Sequence, residues 1–110
     1  MSLTMGCQEK GNLTLVTVTG RMDAVTAPDF EKTCQALMQK GKIDIVAELS
    51  ALDYISSAGL RSILSAAKKL RGKGGNLRFC GLSGMVKEVF KISGFQSMFT
   101  IVENLAEIEG

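Results

Sequence analysis

Apolar and polar residues alternate with a changing rhythm along this chain, and each change of rhythm marks an element. Residues 13–19 (LTLVTVT) are rich in β-branched side chains and alternate in part, which predicts a strand. Residues 5–9 carry a fainter strand pattern, and Lys10-Gly11-Asn12 between the two is a turn signal, so the pair reads as a hairpin. Gly20 marks the end of the second strand. Residues 27–39 then place Phe30, Cys34, Leu37 and Met38 at helical spacing. Thr26 is the predicted N-cap, Pro28 fits the first turn and Gly41 closes the helix.

Residues 43–49 (IDIVAEL) form the next strand, with Ile43, Ile45, Ala47 and Leu49 on one face and Asp44, Val46 and Glu48 on the other. Residues 58–71 carry Leu60, Ile63, Leu64, Ala67 and Leu70 as one amphipathic stripe, ended by Gly72, Gly74 and Gly75. Residues 76–81 read as a strand. Residues 84–93 put Val86, Val89, Phe90 and Ser93 on one helix face, stopped by Gly94. Phe99–Val102 is the last predicted strand, and Asn104–Glu109 adds a helical turn.

The predicted order is β-β-α-β-α-β-α-β. Helices between strands imply parallel neighbours joined by right-handed crossovers, while the opening hairpin makes one pair antiparallel. The fold class is therefore α/β: one domain over residues 5–109, with a small mixed sheet and helices packed on it. A chain of 110 residues fits one domain and buries roughly 65% of its unfolded surface. No uninterrupted apolar run exceeds three residues, so membrane insertion is not expected. The start lacks a charged-then-apolar signal pattern, so secretion is not expected either.

Composition narrows the chemistry. Histidine is absent, which removes Ser-His-Asp and Cys-His nucleophile pairs, the imidazole base and His-containing zinc sites. Cys7, Cys34 and Cys80 are odd in number and widely spaced, so neither a disulfide framework nor a cysteine–metal cluster is expected, and a reducing cytoplasm fits. Thirteen Lys and Arg against eleven Asp and Glu leave +2, too mild a charge to direct nucleic-acid binding. The basic residues Lys68, Lys69, Arg71, Lys73 and Arg78 read as a solvated helix end. Gly72-Lys73-Gly74-Gly75 follows a helix and precedes a strand, the reverse of a phosphate-binding P-loop. The six methionines are scattered and read as gap-fillers.

Sites in open α/β sheets gather at the carboxyl ends of parallel strands. Two loops leave the predicted sheet there: Gly20–Thr26 after the 13–19 strand and Ser50–Ser57 after the 43–49 strand. If those strands are neighbours, Asp23 comes close to Ser56 and Ser57. The serine pair precedes a helix. One reading is a helix cap, whose hydroxyl accepts from a free N–H. The other is a phosphate carrier, because free N–H groups and the positive end of the helix dipole favour added negative charge. Gly59, without a Cβ, leaves room for a close partner. Asp23 is either a turn carboxylate bonding nearby backbone or a group offered to a partner.

The run Tyr54-Ile55-Ser56-Ser57-Ala58-Gly59-Leu60 resembles the phosphorylation-site motif of the STAS domain (sulfate transporter and anti-sigma factor antagonist), commonly Asp-Ser-Ser/Thr-Gly-Leu at a helix start. Gly20-Arg21-Met22-Asp23 resembles that family's Gly-x-Leu-Asp segment. Ile45–Ser50 is similar to its strand ending in Asp-Leu-Ser, and Gly74-Gly75-Asn76-Leu77 to the approach to its next strand. The likeness runs from about Leu13 to Val102. Three positions depart from the pattern: Ser56 stands where an acidic residue is usual, Ala58 where a second Ser or Thr is, and Glu48 where Asp is.

The resemblance implies a bacterial partner-switching protein. It would bind an anti-sigma factor that is also a serine kinase, lose that binding on phosphorylation, and recover it through a serine phosphatase. The implied phosphoacceptor is Ser57, with Ser56 as the alternative. The implied partner surface combines Asp23, Thr26, Ser56, Ser57, Gly59, Arg61, Ser62 and Ser65. Neither catalysis by the chain itself, nor a cofactor, metal or small-molecule substrate is expected. The alternative function is a STAS scaffold or ligand-binding module without a phosphoswitch, serving a signalling or a lipid- or anion-transport assembly. An enzyme built on Asp23, Ser57 and lysine without histidine lacks support in the sequence.

Overall fold

The computed structural model describes residues 2–109. β1 (Leu3–Lys10) and β2 (Leu13–Met22) form the antiparallel hairpin. There follow α1 (Ala27–Gln39), β3 (Asp44–Glu48), β4 (Leu52–Ile55), α2 (Ser57–Gly72), β5 (Asn76–Cys80), α3 (Gly84–Ile92), α4 (Phe95–Met98), β6 (Ile101–Val102) and α5 (Ala106–Glu109). The sheet runs β1-β2-β3-β5-β6, parallel after the first pair. β4 pairs in parallel with the far end of β2, beyond β3. The predicted mixed α/β architecture holds.

Several local readings change. β2 does not stop at Gly20 but runs on to Met22, with a register shift between Gly20 and Arg21. Gly20 has φ +112°, and a Cβ there would collide with the Ser2 carbonyl just before β1. Glycine therefore lets the strand bend and continue rather than end there. β4 lies in what read as the loop Ser50–Ser57, and α4 lies between α3 and β6 where no element was predicted. Only Ile101–Val102 of the predicted 99–102 strand pairs with β5. Phe99 instead turns into the core.

One face of the sheet carries the main core. Val16, Val18, Met22, Ile45, Ala47 and Phe79 meet Phe30, Cys34, Leu37, Ile63, Ala67 and Leu70 from α1 and α2. The predicted inward face of β3 (Ile45, Ala47, Leu49) is buried, and Ile43 packs beside it half-exposed. Phe79 meets Phe90 and Phe99 edge-on at 5.3 and 5.2 Å, and Phe95 joins Phe90 at 5.2 Å. That geometry suits the aromatic quadrupole and is what seats α4. The opposite face holds a smaller cluster, Leu13, Leu15, Val46 and Cys80, under Leu105 and Ile108 of the C-terminal turn.

The α2 stripe is rotated slightly from its predicted position. Gly59, Ser62, Ile63, Ala66, Ala67 and Leu70 are buried, while Leu60 and Leu64 are half-exposed at the core margin. On α3, Val86 and Phe90 point inward as expected. Ser93 is exposed just past the helix, and its hydroxyl donates to the Phe90 carbonyl at 3.1 Å. Arg78 does not belong to the solvated basic end. It lies on β5, half-buried, and its guanidinium pairs with Asp44 at 2.8 Å.

Candidate functional site

The site lies where β2 and β4 end side by side. Met22 is the register partner of Ile55, and the Ser56 amide donates to the Met22 carbonyl at 2.9 Å. The next residues on the two strands, Asp23 and Ser56-Ser57, therefore leave the sheet together. The predicted meeting of these residues is present, but β4 rather than β3 makes it. One step back, the Arg21 guanidinium stacks over the Tyr54 ring at 4.2 Å, a cation–π contact across the same two strands.

The two serines differ sharply. Ser56 is the N-cap of α2, extended at φ −97°, ψ 175°, and its Oγ accepts from the Gly59 amide at 3.2 Å. Its carbonyl accepts from Leu60 at 3.0 Å. Ser57 is the first residue of the helix and is exposed, and its hydroxyl makes no protein hydrogen bond among the described residues. The amides of Ser57 and Ala58 remain open at the helix start, as helix geometry requires. The cap reading thus describes Ser56, and the free hydroxyl belongs to Ser57.

Asp23 organises its own loop. Its Oδ1 accepts from the amides of Val25 at 3.0 Å and Thr26 at 3.1 Å. The Thr26 amide, first, holds the carboxyl below its ordinary value of 3.8. The Val25 amide, the Thr26 hydroxyl and the Arg21 charge act in the same direction, against some loss of hydration. Asp23 is therefore ionised at neutral pH, and its Oδ2 takes no part in these bonds.

Three predicted contacts, Thr26, Gly59 and Ser62, change role, and a fourth, Ser65, is partly covered. Thr26 is buried. Its hydroxyl donates to the Arg21 carbonyl at 2.7 Å and accepts from the Asp23 amide at 3.0 Å, so it braces the loop from within. It does not cap α1 with its side chain either. Gly59 is buried, and its missing Cβ makes room for the protein itself. A Cβ there would lie 2.7 Å from Ile55 Cγ1 and 3.0 Å from the Met22 carbonyl oxygen. Ser62 is buried against the core and Ser65 is half-buried. Arg61, one turn after Ser57, is exposed as expected.

Sequence reading passed over Val25, which is 84% exposed beside Asp23. Val25 stands outside both the inward alternation of β2 and the Phe30–Met38 stripe of α1, and that was the available signal. It also missed Arg21 and Tyr54, whose pairing depends on the cross-strand register. The rim thus offers a carboxylate, a free hydroxyl, an exposed valine and two guanidinium groups. No group of three or more His, Cys, Asp or Glu stands close enough to hold a metal among the described residues.

Residues 5–108 match the STAS domain family model. BtrV of Bordetella bronchiseptica, described as an anti-sigma factor antagonist, is 39% identical over 94% of this chain and 88% of its own. An anti-sigma-B factor antagonist of Staphylococcus epidermidis is 29% identical over 86% of each chain. The crystal structure of an anti-sigma factor antagonist from Mycobacterium paratuberculosis superposes with a TM-score of 0.85, at 24% identity, over 96% of this chain and 89% of the other. None of the described helices is long and apolar enough to cross a membrane.

Proposed function

The chain belongs to the STAS domain family, and we propose that it acts as an anti-sigma factor antagonist switched by phosphorylation of Ser57. In its unmodified form it binds an anti-sigma factor that is also a serine kinase. The docking surface is the rim formed by Asp23, Val25, Tyr54, Ser57 and Arg61. A serine phosphatase resets the switch. The chain is the substrate of this chemistry and performs none itself, and the reaction takes place in the cytoplasm.

The observation that carries this reading is the division of labour between the serines. Ser56 spends its hydroxyl on the cap, while Ser57 presents its own to solvent at the start of a sixteen-residue helix. Phosphate on Ser57 adds about −1.5 to −2 charges at pH 7. At a helix N-terminus that charge is favoured by about 0.3–1 kcal/mol. The modified domain therefore keeps its fold. The cost falls on the complex, where a dianion must shed water against a partner, at several kcal/mol without a matching cation. A loss of about 3–4 kcal/mol is a factor of several hundred in affinity.

Incubation with ATP and serine kinases from the source organism, followed by mass spectrometry, tests the assignment. One phosphate on Ser57 is expected. Phosphate on Ser56 alone would move the switch by one residue, and none from any kinase that binds the protein would leave a constitutive antagonist.

A further inference from the structure

The sheet has two edges, and they differ. β6 is two residues long, whereas β1 runs for eight and pairs with β2 along one side only. Its other side meets no strand among the described residues. The backbone groups on that side follow from the hairpin. Lys10 and Leu13 flank the two-residue turn Gly11-Asn12, so they form a hydrogen-bonded pair. Alternation then turns the N–H and C=O groups of even-numbered residues toward β2. Consistent with this, the Ser2 carbonyl accepts from the Arg21 amide. The groups of Leu3, Met5, Cys7 and Glu9 point outward.

Such a row of open donors and acceptors is a template for another strand, and natural edges usually guard it with proline, a bulge or an inward lysine. β1 has no such guard. Its register with β2 is unbroken over all eight residues, it lacks proline, and its only lysine is the last residue. Thr4, Gly6, Cys7 and Gln8 are exposed and uncharged, and Glu9 is already paired with Lys42 at 2.6 Å.

We propose that β1 pairs with β1 of a second copy of this chain, antiparallel about a two-fold axis at Gly6, joining the two sheets into one. Antiparallel pairing of identical strands is self-complementary and closes as a dimer, consuming the long edge of each copy. The outward groups sit on odd residues, so odd must face odd. That excludes the register overlapping all eight residues. Centring on Gly6 makes four hydrogen-bonded pairs, Leu3 with Glu9 and Met5 with Cys7 and their symmetry mates, against three when centred on Cys7. No like charges stand opposite. Nothing lies within 4 Å of a Cβ built on Gly6, so a side chain can be placed at the axis without a clash inside the protomer.

The geometry has a consequence for function. The Leu3 end of β1 lies beside Gly20, at the same end of the sheet as Ser57. The two-fold therefore sends the two Ser57 rims to opposite ends of the joined sheet, and both stay open to partners. This dimer does not depend on the phosphoswitch.

Light scattering on size-exclusion fractions over a concentration series tests the proposal, with a dimer expected to grow as concentration rises. Cys7→Pro removes an outward donor without touching the β1–β2 ladder, and is expected to abolish the dimer with an unchanged circular-dichroism spectrum. Cys7→Ser is expected to retain it. Independently, Gly6→Cys in a Cys7→Ser background sets two thiols opposite each other with Cα atoms about 4.5 Å apart, inside the disulfide range. It is expected to cross-link under mild oxidation much faster than Gln8→Cys in the same background. A monomer at every concentration, a dimer untouched by Cys7→Pro, or equal cross-linking of the two cysteine variants would overturn the proposal. Should Cys7→Pro fail to fold, the cross-linking pair decides.

Discussion

Replacing Ser56 and Ser57 by alanine, one at a time, separates two hydroxyls that the sequence sets side by side. Ser56→Ala removes the acceptor of the Gly59 amide. Loss of a serine N-cap costs about 0.5–2 kcal/mol. Gly59 is buried beneath β2 and β4, where water cannot readily replace the lost acceptor, so about 1–2 kcal/mol is expected here. In a domain of this size that lowers the melting temperature by roughly 4–10 °C. Ser57→Ala removes an exposed hydroxyl with no protein partner, and alanine is the better helix former by a few tenths of a kcal/mol. Its melt is expected to be unchanged or slightly raised. Phosphorylation reverses the order: Ser56→Ala still accepts phosphate from the kinase, and Ser57→Ala accepts none. Urea melts and intact-protein mass spectrometry on the same preparations read both quantities. Ser57→Ala destabilising the domain more than Ser56→Ala would refute the cap assignment. Loss of phosphate in a well-folded Ser56→Ala protein would refute the choice of acceptor.

Ser57→Asp is expected to bind the kinase weakly, measured by calorimetry, with a circular-dichroism melt within a few degrees of the parent. A large drop in melting temperature would mean that the switch acts through folding. Ile63, fully buried on α2, is expected to lose about 2–5 kcal/mol as Ile63→Ala in a urea melt, and half-exposed Leu64 clearly less as Leu64→Ala. Equal losses would misplace the helix face. The lowered Asp23 carboxyl carries a signed pH dependence: its contribution to stability is complete above the unfolded value near 3.8 and disappears as pH falls through the lower folded value. The stability difference between the parent and Asp23→Ala should therefore shrink in that acid window. A difference that stays constant from neutral pH through the acid limb would show that the loop bonds do not favour the ionised form.

Local chemistry made much of this molecule legible. α1 begins and ends where Pro28, the Phe30–Met38 spacing and Gly41 place it, because caps and periodicity act within a few residues of themselves. The inward face of β3 is equally plain, since alternation on a strand has only two outcomes. The serine pair before α2 was visible as a cap or an acceptor, but not which hydroxyl did which.

That choice belonged to the tertiary structure. β4 has only four residues, and Leu52-Asp53-Tyr54-Ile55 has no strand signal that sets it apart from a loop. It becomes a strand because β2 continues past Gly20 and offers an open edge beyond β3. Pairing there brings Ser56 to the Met22 carbonyl and draws Gly59 against β2 and β4. Gly59 is thereby spent on internal packing, and α2 turns so that Ser62 faces the core. Ser57 and Arg61 are left outside. A cross-strand register is a contact between residues more than thirty positions apart, and its energy appears only once both strands are in place. The residue types at the site were therefore readable from the chain, and their division into braces, packing contacts and exposed groups was decided by the fold.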